Sequence, residues 1–246
     1  MTSAEPAILA EHLAKSYRRT RAVVDVSLRV EVGEAVGVVG ANGAGKTTTV
    51  EMIAGLRVPD RGRVRVLGLD PRRDRARLRQ VLGVQLQQAH LHHSLRVTEL
   101  VDLYRSFYPD PRPTDELLDM VELTDHRRTL FDKLSGGQQQ RLSIALAIAG
   151  RPRVVILDEL TTGLDPKARR RVWGTVERLT SDGVSVLLVS HTMEEVERLC
   201  DRVAVLDAGR VVALGTPADL ITRAGTATLD DAFVALTGRP LEEESA

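Results

Sequence analysis

The segment Gly40-Ala41-Asn42-Gly43-Ala44-Gly45-Lys46-Thr47 constrains this chain more than any other. It fits the pattern G-x-x-x-x-G-K-[ST]. The apolar run Ala35–Val39 precedes it, and a helical pattern over residues 46–56 follows. Strand, glycine loop and helix in that order make a cradle for a phosphate chain. The glycines let backbone amides turn toward an anion, and the helix N-terminus adds donors and positive potential. Lys46 supplies a point charge for the terminal phosphates, and the Thr47 hydroxyl a ligand for Mg²⁺. Gly40, Asn42, Gly43, Ala44, Gly45, Lys46, Thr47 and Thr48 are therefore the candidate nucleotide-binding residues. The alternative, a glycine-rich turn with a chance lysine, is weakened by the rarity of lysine. The chain has 34 Lys and Arg together, and its other lysines are only Lys15, Lys133 and Lys167.

A second strand carries acids. Val154-Val155-Ile156-Leu157 is apolar and ends in Asp158-Glu159. In open α/β sheets ligands bind at the carboxyl ends of the strands. Asp158 is thus expected to hold Mg²⁺, directly or through water, and Glu159 to activate a water for attack on the terminal phosphate. Such general-base assistance contributes about 10²–10⁴-fold. Alone, the pair would read as an ordinary exposed strand end; after a phosphate loop it reads as metal site and base.

Around these motifs strands and helices alternate. Residues 154–158 read as a strand, 166–180 as a helix, 184–190 as a strand and 193–200 as a helix. Residues 203–207 and 211–214 form a final strand pair turning through Ala208-Gly209. The alternation predicts an α/β core with a mainly parallel sheet. Upstream, Val24, Val26, Leu28 and Val30 alternate with polar residues, the pattern of a half-buried strand. Between 89 and 150 the pattern becomes helical. Thr98 caps a helix carrying Leu100, Val101 and Tyr104, Pro109, Pro111 and Pro113 break it, and helices over 115–123 and 137–149 follow. That block reads as an insertion in the core.

Composition removes several classes. The 246 residues carry 34 basic and 34 acidic side chains, so the formal net charge is zero. A chain that coats nucleic acid needs a basic surface, and no nucleic-acid partner is expected. Cys200 is the only cysteine, which excludes an intrachain disulfide. Apolar runs are far shorter than the roughly 20 residues of a membrane-spanning helix. The first residues lack the basic start and apolar run of a secretory signal. Asn42 is the only asparagine. The Asn-Lys-x-Asp element that reads guanine therefore cannot exist, and ATP is the expected nucleotide.

Between the two motifs lies Leu134-Ser135-Gly136-Gly137-Gln138-Gln139-Gln140-Arg141, which resembles the signature sequence of ATP-binding cassette (ABC) ATPases. The resemblance spans roughly residues 8–220. It implies a P-loop NTPase, RecA-like α/β core with an antiparallel β subdomain and an inserted α-helical subdomain. The implied division is an ATPase domain over 1–225 (core 1–88 and 151–225, helical subdomain 89–150), then a short C-terminal helix and acidic tail over 226–246. By the same resemblance Tyr17 stacks on adenine. Gln87, rather than its neighbours Gln85 and Gln88, touches Mg²⁺ or the attacking water. Asp165, in Gly163-Leu164-Asp165, resembles the family's D-loop residue and is a further expected nucleotide-binding residue. His191 contacts the γ-phosphate and positions Glu159. Ser135, Gly136, Gly137 and Gln138 bind the nucleotide held by a second copy, so that two copies pack head to tail around two ATPs. The pattern departs from the family at Leu160, where a proline is usual, leaving the rigidity of the Glu159 segment to be set by other means.

The segment 161–166 and the ending 228–239 resemble the ABC-2, drug-resistance branch. That likeness implies a subunit at the cytoplasmic face of the cell membrane. It would drive a separate multispan permease exporting drugs, lipids or polysaccharides. The alternative is a soluble cassette serving iron–sulfur assembly. His90, His92 and His93 lack a nearby cysteine or acid at ligand spacing and read as a solvated loop.

Overall fold

The computed structural model describes residues 5–86, 92 and 94–241. The described strands form one mixed nine-stranded sheet in the order β4-β1-β2-β9-β8-β3-β7-β6-β5. Its parallel heart is β3 (Ala35–Val39), β7 (Ser185–Val189), β6 (Val154–Asp158) and β5 (Leu82–Gln85), with β8 (Arg202–Asp207) on the other side of β3. Every residue of β3, β6 and β7 is buried. That is why these segments read as unbroken apolar runs: a parallel strand is covered on both faces. The other side is antiparallel. β1 (Ile8–Tyr17) pairs with β2 (Thr20–Val30) and β4 (Arg61–Val66), and β8 turns back into β9 (Arg210–Gly215).

Helices cover both faces. α1 (Lys46–Ile53) packs with β1, β2 and β4 over one apolar cluster built on Val36, Val38, Ile156 and Leu187. The opposite faces of the same strands contribute Val39, Val155, Leu157 and Leu188 to a second cluster. Into it pack α3 (Val97–Arg105), α4 (Thr114–Met120), α5 (Gly136–Ala147), α6 (Pro166–Ser181) and α7 (Met193–Leu199). The chain closes with α8 (Pro217–Ala224) and α9 (Leu229–Thr237). Trp173, from α6, is the largest side chain in this interior.

Two elements escape the hydrophobic pattern. α2 (Arg75–Val81) buries only Leu78, so no apolar stripe announces it. β5 follows at once and has four residues, one of them a buried glutamine. Neither gives the periodic signal on which sequence reading depends. α8 starts with Thr216 and Asp219 in a reciprocal capping box, followed by Pro217. Those residues mark a helix start by themselves.

Candidate functional site

Strand register gathers the site. Val38 of β3 pairs with Val189 of β7, and Val189 pairs in turn with Asp158 of β6. The segments after β3, β7 and β6 therefore leave the sheet at one edge. Those segments are the phosphate loop, Ser190-His191 and Glu159. Three stretches far apart in sequence are thus neighbours.

The loop is shaped by its glycines. Gly45 caps α1 at φ 100°, and a β-carbon there would stand 2.4 Å from the Ala22 carbonyl oxygen. Gly40 is tight for a different reason, since its β-carbon would meet the Leu206 carbonyl oxygen at 2.5 Å. Lys46 is buried, and its ammonium donates to the carbonyl oxygens of Gly40 at 2.6 Å and Ala41 at 3.3 Å. Burial pulls its pKa below the ordinary lysine value, while Glu159 and Asp158 act in the other direction. Thr47 and Asn42 are exposed, Thr48 half-buried and Ala44 buried. The Thr47 hydroxyl thus stands in the open at the first turn of α1.

Asp158 is buried at the end of β6. Its backbone N–H donates to Gln85 Oε1 at 3.1 Å, and Gln85 Nε2 donates to the Leu86 carbonyl at 3.0 Å. Gln85 is therefore turned inward as a tie between β5 and β6. Gln87 and Gln88 lie outside the described residues, as do His90 and His93. His92 is exposed.

Glu159 carries the site's most unusual backbone. It is a non-glycine residue at φ 50°, a conformation costing about 1–2 kcal/mol. Its N–H donates to the Val189 carbonyl at 2.9 Å, which prolongs the β6–β7 ladder and holds the strained residue. The next side chain, Leu160, is buried in the interior beneath the helices. Packing of Leu160 thus anchors the segment where a proline would otherwise stiffen it. Glu159 Oε1 and His191 Nδ1 are 4.0 Å apart, with both side chains partly open to solvent.

The signature segment builds a second, separate capped helix start. Ser135 caps α5: its Oγ accepts from Gln138 N at 3.3 Å, and Gln138 Oε1 accepts from Ser135 N at 2.8 Å. A hydroxyl has one donor besides its acceptor pairs, so this cap leaves the Ser135 O–H free to donate outward. Ser135 and Gly136 are exposed and Gly137 is buried. A β-carbon on Gly137 would come within 2.9 Å of Ala168 Cβ, which explains the glycine: the starts of α5 and α6 touch here. Asp165 caps α6, its Oδ1 accepting from Lys167 N at 2.9 Å and Ala168 N at 3.0 Å.

Tyr17 ends β1 and is half-buried. The Arg57 guanidinium lies 5.4 Å from its ring centroid and the Lys15 ammonium 5.8 Å. Lys15 also pairs with Asp60 at 2.7 Å. Cys200 is buried, which pushes its thiol pKa up and fits a packing role. Among the described residues no group of three or more His, Cys, Asp or Glu could hold a metal ion, and no helix is long and apolar enough to cross a membrane.

Sequence reasoning weighed Gln85 only as a rival of Gln87, and it overlooked Ser190 and Glu195. Glu195 is a fully buried acid between the buried Met193 and Val196. An acid at an apolar position of a helix was the signal that could have found it.

Known proteins give the same reading. The ABC transporter family profile matches residues 23–162. The linearmycin resistance ATP-binding protein LnrL of Bacillus subtilis (strain 168) is 35% identical over 225 residues, covering 89% of this chain and 72% of that protein. The daunorubicin/doxorubicin resistance ATP-binding protein DrrA of Streptomyces peucetius is 40% identical over 228 residues, with 91% and 69% covered. Among solved structures, a dimeric ATP-binding cassette in a post-hydrolysis state, bound to ADP and Pi, superposes with a TM-score of 0.77. It has 27% identity and covers 85% of this chain and 98% of that one. With its motifs in order and its strands gathering them at one edge, the chain belongs to the ABC transporter family and is one of its ATP-hydrolysing cassettes.

Proposed function

We propose that this chain is the ATP-hydrolysing subunit of an exporter. Two copies close on two ATPs, and their closing and opening work a separate membrane-spanning permease of ABC-2 type from its cytoplasmic face. One observation carries the catalytic half of this reading: the phosphate loop, Glu159 and His191 leave adjacent strands at a single sheet edge. The similarity to resistance and export ATP-binding proteins supports the exporter half. It does not favour the iron–sulfur alternative.

The nucleotide brings its charge to Lys46, whose ammonium is already held in the loop by two carbonyls. Phosphate oxygens are far stronger acceptors than those carbonyls, and they raise the affinity of this depressed lysine for its proton. Tyr17 offers a ring face to adenine. The donor set fits Mg²⁺: one exposed hydroxyl, Thr47, and one buried carboxylate, Asp158, are both hard oxygen ligands. A cation that keeps waters and takes phosphate oxygens needs no all-protein cage. When bound, Mg²⁺ neutralises charge on the β- and γ-phosphates. Gln87 is a further ligand on family likeness alone. Glu159 accepts the proton of the attacking water at its carboxylate. His191, 4.0 Å away, holds Glu159 and the γ-phosphate in one arrangement. Asp165 and the Ser135–Gln138 helix start face the second copy, whose γ-phosphate they complete. Hydrolysis removes a ligand shared by both copies, and a ligand that favours one state is the switch.

The test has two arms. The purified chain is expected to hydrolyse ATP in the presence of Mg²⁺, and no turnover at all would overturn the enzymatic reading. Affinity purification from membranes of cells that encode it should recover a multispan partner. Recovery with iron–sulfur assembly proteins instead would defeat the exporter reading.

A further inference from the structure

The loop that holds His191 is tied to a buried carboxylate with no part in the chemistry above. Glu195, on α7, is 1% exposed. Each of its oxygens receives one donor. The Trp173 indole donates from Nε1 to Oε1 at 3.0 Å, and the Ser190 hydroxyl donates to Oε2 at 2.6 Å. Ser190 Oγ in turn accepts from Thr192 N at 3.0 Å. Ser190 and Thr192 bracket His191, so this short serine turn sets the backbone that carries the imidazole. Trp173 belongs to α6, the helix that Asp165 caps and whose Ala168 touches Gly137. A single carboxylate therefore links the helix that begins at the inter-copy face to the turn that presents His191.

Outside this tie the same two helices are clamped again. Arg198 of α7 pairs with Glu177 of α6 at 2.8 Å, and its guanidinium lies 5.1 Å from the Trp173 ring centroid. Arg169 and Glu194 approach to 3.4 Å nearer the start of α6. Two exposed ion pairs add little stability. A buried carboxylate with both oxygens engaged is different. It admits few alternative arrangements, because any other leaves a buried donor or acceptor unmade.

We propose that Glu195 is a positioning residue for hydrolysis. Through Trp173 and Ser190 it makes α6 and the His191 turn move as one piece, so that engagement of the second copy at Asp165 is felt at His191. This rests on the ATPase reading above.

Trp173 is the only tryptophan in the chain, so its emission reports on this tie without labelling. Steady-state ATP hydrolysis should be measured for wild type, Trp173→Phe, Ser190→Ala, Glu195→Ala and Glu195→Gln. Trp173→Phe and Ser190→Ala each remove one donor and keep the packing nearly intact, so they carry the test even where Glu195→Ala fails to fold. Both are expected to lower kcat by about 10- to 100-fold, the range for a small misplacement near reacting groups. KM for ATP should change less than about twofold, because the phosphate loop is untouched. Glu195→Gln can still accept from Trp173 and donate to Ser190, and should keep more activity than Glu195→Ala or, if that variant does not fold, than Ser190→Ala. In the Glu159→Gln background, ATP with Mg²⁺ should shift the Trp173 emission, and adding Ser190→Ala should remove the shift while ATP still binds. Unchanged kcat in both single-donor variants would overturn the proposal. So would a KM that rises as kcat falls, or emission indifferent to bound ATP. Absence of hydrolysis in the wild type would count against the ATPase reading instead.

Discussion

Glu159 Oε1 stands 4.0 Å from His191 Nδ1, across the ends of two parallel strands whose register puts Asp158 opposite Val189. The two groups are within ion-pair range of each other, and both side chains are partly open to solvent. Glu159 is also strained in its backbone, at φ 50°. Non-glycine residues keep such a conformation where the surroundings over-determine it, and such residues cluster at functional sites.

Glu159→Gln should therefore bind ATP and hydrolyse it about 10²–10⁴-fold more slowly, the usual contribution of a positioned base. The amide retains the size of the side chain and loses its ability to take a proton. Because the shared nucleotide then persists, the variant should accumulate as a dimer when ATP and Mg²⁺ are present. Size-exclusion chromatography with light scattering reads the dimer, and phosphate release reads the rate. Equal turnover in variant and wild type would remove Glu159 from the role of base.

The two loop glycines should respond differently to alanine. Gly43 has φ 79° with no atom within 4 Å of a would-be β-carbon, whereas at Gly45 that carbon meets a backbone oxygen at 2.4 Å. Gly43→Ala should lower stability by the cost of a left-handed alanine, about 1–2 kcal/mol. Gly45→Ala carries that cost and must also displace the Ala22 carbonyl or the start of α1, so it should lose nucleotide binding as well. Thermal denaturation and ATP titration separate the two. Equal effects would mean that loop entropy, not close approach, dictates Gly45.

Tyr17→Ala should weaken ATP binding with little change in the rate of the bound complex. Stacking of a base on an aromatic ring contributes about 1–3 kcal/mol, or roughly 5- to 150-fold in affinity. Tyr17→Phe keeps the ring and should stay near wild type. The cations of Arg57 and Lys15 beside the ring should remain in both variants, since each has its own carboxylate partner, Glu51 and Asp60. A loss in the Phe variant equal to that in Ala would show that the hydroxyl, not the ring, does the binding.

Much of this arrangement was legible in sequence because its parts announce themselves locally. Buried parallel strands give apolar runs, the phosphate loop needs its glycines, and the segment 134–141 matches a family signature. α2 and β5 were not legible, because one buried leucine and a four-residue strand make no period. The Glu195 tie was hidden for a different reason. Its three members, Trp173, Ser190 and Glu195, lie on three elements, and nothing in a single chain's order says that an indole on α6 will meet a carboxylate on α7. Gln85 was read as a rival of Gln87, whereas its side chain ties β5 to β6.

The Asp165 cap should give a measurable acid limb. Bonds from the N–H groups of Ala168 and Lys167 hold its carboxyl below the usual aspartate range. The unfolded chain has the ordinary value of about 3.9. A depressed folded pKa stabilises the protein above the unfolded value, and that stability is lost as pH falls through the folded one. Asp165→Asn keeps an acceptor for the helix start and loses the charge. Its melting temperature should be slightly lower at neutral pH and should fall less steeply in acid. Parallel curves for variant and wild type would assign the acid limb to other carboxylates.

Ser135 and Lys46 should belong to different halves of one site. Ser135→Arg fills the open start of α5 with a long cation and should abolish hydrolysis while sparing ATP binding to the single copy. Lys46→Ala removes the ammonium that the loop holds at 2.6 Å from the Gly40 carbonyl, and should abolish hydrolysis by losing the phosphates. Mixing the two inactive proteins creates heterodimers. In each of these, the proposed head-to-tail arrangement, which pairs the loop of one copy with the signature of its partner, leaves one site with both lesions and the other with neither. With random pairing half of the dimers are mixed, so activity should return to about a quarter of wild type where one intact site suffices. A site built within one copy predicts the opposite, because every site would then keep one lesion and the mixture would stay dead at any ratio.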